Sequence, residues 1–427
     1  MVDDSQSNLP TTPTAARLTA QRGAVLSLAV LTFINLFNYL DRYVVAALAE
    51  TLKKAPELRL TDTQLGLLMT GFVIVYMAAS PFFGWLGDRG RRPRWMAAGV
   101  AVWSLATMAA GLSQGFVGLF MARAAVGIGE AAYGTIAPSL LADYFPKARR
   151  GRVFAIFFAA IPIGAAMGYV LGGKIGALYG WRYAFYVAGL PGLALAALCL
   201  LLRDPPRGEQ DGAPRPTLLK GGLATYRALV GNPAYTMTVL GYAAYTFALG
   251  GIAFWMPAFL ERERGLTHAA ATIGFGKIVV VTGFLGTFVG GWLGDFFLQR
   301  SRQAYLWLSG LVTLLACPAA LVAFRAVDHR TEFAALFVAE LLFFASTGPI
   351  ASVIVNTVAP EMRATAGALT IFTIHMFGDV PSPPLIGKIS DLSSLSTAVL
   401  VVPVALLVSG TIWMLAAYLG GKRGWVT

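Results

Sequence analysis

Charge is scarce in this chain. Only 13% of its 427 residues are Asp, Glu, Lys or Arg, about half the usual share, while 57% are hydrophobic. So little charge cannot cover the water-facing surface of a soluble domain. Cysteine is nearly absent too. Cys199 and Cys317 sit in separate apolar stretches without metal-ligand spacing, so neither a disulfide framework nor a zinc site is implied. No metal or other cofactor is called for.

Long apolar runs fill the chain instead. Windows of about 20 residues, enough to cross a ~30 Å hydrocarbon core, can be drawn at 24–50, 63–86, 94–114, 116–143, 151–174 and 181–202. A second set follows at 233–260, 269–294, 302–324, 332–357, 363–388 and 397–421. The expected class is therefore an all-α polytopic membrane protein with twelve transmembrane helices in two six-helix bundles. Gly84-Trp85-Leu86-Gly87-Asp88 closes one apolar stretch and returns in the second half as Gly291-Trp292-Leu293-Gly294-Asp295. Pro146 and Arg149 return in the same order as Pro360 and Arg363. Self-similarity at half-chain spacing points to duplicated bundles with a binding site between them, the architecture of secondary transporters. The expected division is a disordered cytoplasmic tail at 1–23, a first bundle at 24–202, a cytoplasmic linker at 203–232, a second bundle at 233–421 and a cytoplasmic tail at 422–427. The linker, rich in Pro, Gly and charge, ends in an interfacial helix over 218–230.

Basic residues set the orientation, because cytoplasmic loops retain them. Placing both termini in the cytoplasm puts the larger share of Lys and Arg inside, which predicts a multi-pass protein of the cell (inner) membrane. The net charge of +12 is then mostly this signal plus attraction to anionic lipid headgroups, and no nucleic-acid partner is expected. A cleaved signal ending at Ala47-Leu48-Ala49 is rejected, since Asp41 and Arg42 interrupt an apolar stretch that is also too long.

Three catalytic look-alikes fail on context. Gly111-Leu112-Ser113-Gln114-Gly115 fits G-x-S-x-G but lies in a tight loop between membrane helices with no strand feeding it. Gly127-x-Gly129-x-x-Ala132 imitates a dinucleotide fingerprint, and Gly168 through Gly173-Lys174 approaches a phosphate loop but continues with Ile175. Both are better read as small residues that let membrane helices approach closely. No catalytic residue is assigned, and the protein is not read as an enzyme.

Ionisable groups inside apolar helices are expensive, so they normally face a cavity and pair with one another. Asn35, Asn38, Tyr39 and Arg42 fall on one helical face, a stripe expected to line water or substrate. Asp41 is rotated about 100° from Arg42 and needs either another partner or a raised pKa. Arg123, Gly127 and Glu130 share a face of their own helix. At ~1.5 Å per residue the two charges stand ~10.5 Å apart, leaving room for a group between them, and Arg42 is the natural candidate. Lys277 and Glu340 stand at similar depth in the second half and can pair or snorkel. His375 and Asp379 are spaced i, i+4 ahead of Pro381, Pro383 and Pro384, a titratable pair beside a helix break. In the loop after the second helix, Asp88, Arg89 and Arg92, with Asp295 in the repeat, are expected to gate the conformational change through contacts at helix termini.

The loop motif, the duplicated halves and Arg123-x-x-x-Gly127-x-Gly129-Glu130 together resemble the major facilitator superfamily over essentially the whole chain. More specific segments resemble the Spinster family of lipid transporters. They are Asn38-Tyr39-Leu40-Asp41-Arg42, Thr246 through Gly251 with Trp255-Met256-Pro257, and His375-Met376-Phe377-Gly378-Asp379 through Ser382-Pro383 and Gly387 to Asp391. The resemblance implies alternating-access movement of lysophospholipids or sphingoid lipids, sphingosine 1-phosphate among them. It also implies cavity roles for Asp41, Arg42, Arg123 and Glu130 and a proton response at His375. The antiporter glycine motif is matched only loosely over Gly164 to Gly173, which lacks its Gly-Pro pair.

The residues fit this in part. Arg42 and Arg123 suit a phosphate or carboxylate, and Tyr242, Tyr245, Phe247, Phe254 and Trp255 would wall an acyl chain. The partners expected are thus an amphiphilic anionic lipid, protons and membrane lipids, with the protein acting as a monomer. A proton-coupled drug or small-solute exporter of the same fold is the alternative, and a membrane lipid enzyme or receptor a third.

Overall fold

A backbone in hydrocarbon must satisfy its own hydrogen bonds, and the apolar runs of this chain do so as helices. The computed structural model describes residues 15–206, 223–358 and 362–425. Side chains are described over the same ranges except at 15–22, 88–89, 147–152, 155, 223–225, 355 and 363–365. The first half holds α1 (Ala15–Ala47), α2 (Ala49–Lys54), α3 (Asp62–Arg89), α4 (Arg92–Ala110), α5 (Phe116–Tyr144), α6 (Lys147–Tyr179) and α7 (Trp181–Leu200). After the short α8 (Leu223–Val230) come α9 (Pro233–Arg262), α10 (His268–Leu298), α11 (Ala304–Arg325), α12 (His329–Phe344) and α13 (Thr347–Asn356). The chain then runs through α14 (Arg363–Ile374), a π-helical turn (His375–Asp379), α15 (Ser382–Leu392), α16 (Leu395–Ala398) and α17 (Val401–Arg423). No strand occurs among the described residues.

Among the described residues, ten helices are long and apolar enough to cross a membrane. The other two expected windows are helical as well and complete the twelve. In α4 the apolar character is diluted by Arg92, Arg94, Trp95 and Trp103, and the window at 363–388 is interrupted by the π-helical turn. One expectation needs correction at its edge. α1 begins at Ala15, inside the stretch read as a disordered tail, because Ala15-Ala16-Arg17-Leu18 are good helix formers that extend the membrane helix backwards.

In the first bundle α1 packs on α6, and α5 lies against α3 and α4. In the second, α17 lies against α9 and α11, and α12 against α10 and α11. The bundles meet where α6 lies on α10, α3 on α15 and α1 on α9. Call the face at which α1 begins and α17 ends the terminal face, and its opposite the far face. Among the described residues, every hydrogen bond or ion pair joining the two halves lies at the far face or midway towards it.

Candidate functional site between the bundles

Two consecutive residues of α1 find different partners on α5. Arg42 donates from Nε to Glu130 Oε2 at 2.7 Å, while Asp41 accepts Arg123 Nη1 at 3.0 Å and Thr107 Oγ1 at 3.0 Å. The 100° step between neighbours on a helix sends one side chain to each end of the Arg123 to Glu130 interval. Gly127 sits in that interval because α3 comes so close: a Cβ there would stand 2.5 Å from the Phe72 carbonyl oxygen. The approach sets the Phe72 ring under both cations, 5.0 Å from the Arg42 guanidinium and 5.4 Å from that of Arg123. Tyr39 and Tyr76 complete an aromatic ring around Arg42 at 4.8 and 5.2 Å.

Burial separates the two pairs. Asp41, Arg123 and Glu130 are fully buried, whereas the Arg42 side chain is 19% exposed. Both Asp41 oxygens accept a hydrogen bond, and the Asp41–Arg123 pair is sealed from the cavity. Glu130 keeps Oε1 without a hydrogen-bond partner, as Arg123 does Nε and Nη2. A buried polar atom left unpaired costs about 1–3 kcal/mol, and both pairs carry that cost; what sets the Arg42–Glu130 pair apart is that Arg42 alone of the four is reached from the cavity.

The second bundle brings His375 and Asp379 to the same level. The i, i+4 spacing puts His375 Nδ1 2.9 Å from Asp379 Oδ1, with both side chains partly exposed. Asp379 is an electrostatic neighbour of Tyr39 and Tyr43 across the interface and of Tyr242 within its own half. The expected helix break takes the form of a π-helical turn in which the Val380 N–H donates to the His375 carbonyl at 3.1 Å. Pro384 has no N–H to offer the Val380 carbonyl, and Thr70 Oγ1 of α3 donates to it instead at 2.5 Å. The break is thus stitched to the other bundle.

The sequence reading missed a latch at the far face. Arg262 of α9 donates from Nε to Glu50 Oε1 at 2.8 Å and from Nη1 to Asp62 Oδ2 at 2.5 Å. Lys53 and Ser390 also bond Asp62, at 2.7 and 2.6 Å. Asp391 of α15 lays its carboxylate on the N-terminus of α3, accepting the Asp62 and Thr63 N–H groups at 2.8 Å each and the Thr63 hydroxyl at 2.6 Å. Gly387 permits this, since a Cβ there would meet the Asp62 carbonyl oxygen at 2.3 Å. Beside it Lys54 bonds Glu261 at 2.7 Å, a contact that raises the Lys54 ammonium above its ordinary pKa, and Glu261 also bonds His268 at 2.7 Å.

Several expected cavity residues stand elsewhere. Asn35 and Asn38 are buried, Asn35 donating to the Phe157 carbonyl of α6 at 2.9 Å, so the polar stripe of α1 turns partly into a helix contact. Tyr245 stacks on Phe343 at 3.9 Å, and Trp255 donates to the Pro383 carbonyl at 2.9 Å. With Phe254 they belong to the second bundle's packed interior. Tyr39, Tyr242 and Phe247 remain partly exposed. Lys277 is exposed, whereas Glu340 is buried and Oε1 lacks a hydrogen-bond partner; no ion pair joins them. Of the expected gating residues, the side chains of Asp88 and Arg89 lie outside the described residues, as do those of Arg149, Pro360 and Arg363 from the second repeat pair. Arg92 is buried and clamps the start of the linker within its own bundle, bonding Asp204 at 2.8 Å, Asp143 and the Pro205 carbonyl at 2.7 Å. Asp295 accepts the Tyr305 hydroxyl at 2.7 Å, also within its own bundle.

Comparison with known proteins places this geometry. The family model of the Major Facilitator Superfamily matches residues 31–383. Human protein spinster homolog 1 is 37% identical over 392 residues, covering 86% of this chain and 73% of the human protein. Protein spinster of Drosophila melanogaster is 32% identical over 382 residues, which are 87% of this chain but 62% of the fly protein. Among solved structures, a bacterial homologue of the human lysosomal transporter Spinster, inward-facing and unoccupied, superposes with a TM-score of 0.85 at 25% identity. The superposition covers 94% of this chain and 98% of that one.

Proposed function

The chain belongs to the major facilitator superfamily and, within it, to the Spinster proteins, and on that footing we propose that it moves an amphiphilic anionic lipid across its membrane by alternating access coupled to protons. A membrane transporter is what its family makes it; the lipid and the proton are our inference. The observation that carries it is Arg42, a partly exposed guanidinium ringed by three aromatic faces and held by one buried carboxylate. Such a cation can trade Glu130 for a lysophospholipid or sphingoid phosphate, while the aromatic faces take the first methylenes of the chain. Glu130, released, has lost its counter-charge and takes up a proton in its place. Substrate and proton thereby become linked through one contact. His375 and Asp379 would answer protons from the opposite wall.

Both termini are taken to be cytoplasmic, so the latched far face is the outer one and the cavity opens inward. Asp88 and its loop would then form their inter-bundle contacts only in the opposite state. Reconstitution in liposomes with a panel of lysophospholipids, sphingoid phosphates and cationic drugs, with internal pH followed, tests the proposal. Proton-linked flux of anionic lipids is expected; flux confined to hydrophilic or cationic compounds would contradict it.

A further inference from the structure

Away from the cavity, the terminal face carries an apolar groove of about 270 Å³ where the end of α10 turns into α11 and meets α17. Phe297, Ala304, Trp307, Leu311 and Met414 form its walls, with Arg300 among them. The exposed Leu311 and Leu315 continue the apolar surface along α11 towards the bilayer interior. The Arg300 side chain is exposed, lies over the Phe296 ring at 4.7 Å, and has no carboxylate or hydrogen-bond partner among the described residues. Nearby on α17, Lys422 lies over Tyr418 at 4.5 Å and Arg423 near Trp425 at 6.0 Å. Cations resting on aromatic rings at the end of membrane helices mark the level of lipid headgroups.

We propose that this groove binds an anionic phospholipid of the surrounding membrane, one acyl chain along Trp307, Leu311 and Met414 and the phosphate on Arg300. The charge complement argues for that occupant: the groove is carbon-walled, opens to the bilayer, and carries an unneutralised cation. A basic pocket between membrane helices is suited to anionic headgroups. A second protein chain would have to present a carboxylate to Arg300 and an apolar face to the groove at once, whereas an anionic lipid brings the counter-charge with its tail.

The test uses the intact protein in nanodiscs of phosphatidylcholine containing a small fraction of phosphatidylglycerol with a photoreactive acyl chain, followed by peptide mapping. Labelling is expected on the segment holding Trp307 and Leu311. Arg300→Gln should reduce it about fivefold, the preference one cation gives near an anionic surface, and Ala304→Trp, which fills the groove, should abolish it. A photoreactive phosphatidylcholine should label less in the wild type and respond little to Arg300→Gln. Equal labelling by the two lipids, no loss in Arg300→Gln, or no labelling of the segment because another part of the chain fills the groove would each overturn the proposal. Arg300→Gln changes only an exposed side chain and decides the matter even if Ala304→Trp does not fold.

Discussion

Arg42 and Glu130 meet at 2.7 Å across α1 and α5, one partly exposed and the other sealed, while the neighbouring Asp41 is locked to Arg123 with neither side chain exposed. Two chemically similar pairs, one residue apart on α1, therefore differ in access, and we propose that they differ in work: one holds the helices together and the other exchanges partners.

The anchor is testable through stability. Removing one member of a buried ion pair strands the other, at a cost of about 3–5 kcal/mol, whereas an apolar replacement of both is often close to neutral. Asp41→Asn should lower the thermal unfolding temperature in detergent markedly, and Asp41→Asn with Arg123→Leu should recover part of the loss. Equal stability of Asp41→Asn and wild type would show that the pair is not an anchor.

The far-face latch should set the conformational balance. Arg262→Ala removes charge-assisted bonds to Glu50 and Asp62, each worth about 1.5–3 kcal/mol, and should shift the population towards an open far face by tenfold or more. Distances between spin labels at Arg59 and Thr267 report it: a second, longer distance is expected in the variant, and an unchanged distribution would mean the latch does not hold the state.

His375 lies 2.9 Å from Asp379 at the π-helical turn. A histidine–carboxylate contact beside a helix break is a place where transport can respond to protons. His375→Ala should therefore alter the pH dependence of transport while leaving the folded fraction unchanged. A variant with the wild-type profile would reduce His375 to a packing residue.

Orientation follows from the basic-residue bias and is checked by labelling. In cells, Trp425→Cys should resist a membrane-impermeant maleimide added outside and Arg330→Cys, at the far face, should react. The reverse pattern would invert the topology and with it the direction in which the cavity opens.

Much of this arrangement was legible in the sequence. An Arg and a Glu seven residues apart on one apolar helix leave a gap suited to a group from another helix, for which Arg42 was the natural candidate, and the 100° step from Arg42 to Asp41 left Asp41 to find a second partner or a raised pKa. Periodicity identifies residues that share a face but not what covers that face. Asn35 was consequently assigned to the cavity although it bonds the Phe157 carbonyl of α6, Asn38 was assigned there although it is buried, and Tyr245 and Trp255 were assigned there although their polar atoms are satisfied inside the second bundle. The latch left little signal: Gly387 and Asp391 stood in a segment noted only for its resemblance, Glu50, Asp62 and Arg262 lie at the ends of apolar windows, where polar residues are unremarkable, and each finds its partner on the other half of the chain. The prolines announced a break in the eleventh window, but Thr70, the group that satisfies its freed carbonyl, could be identified only in three dimensions.

The central claim is that substrate phosphate and Glu130 compete for Arg42. The most direct measurement is a double-mutant cycle in liposomes, with lysophospholipid binding and proton-linked flux measured for wild type, Arg42→Ala, Glu130→Gln and the double variant. Glu130→Gln should lose proton-linked flux yet bind the anionic lipid as well as or better than wild type, Arg42→Ala should lose both, and the double variant should match Arg42→Ala. Wild-type binding and flux in Arg42→Ala, or losses that simply add in the double variant, would contradict the account.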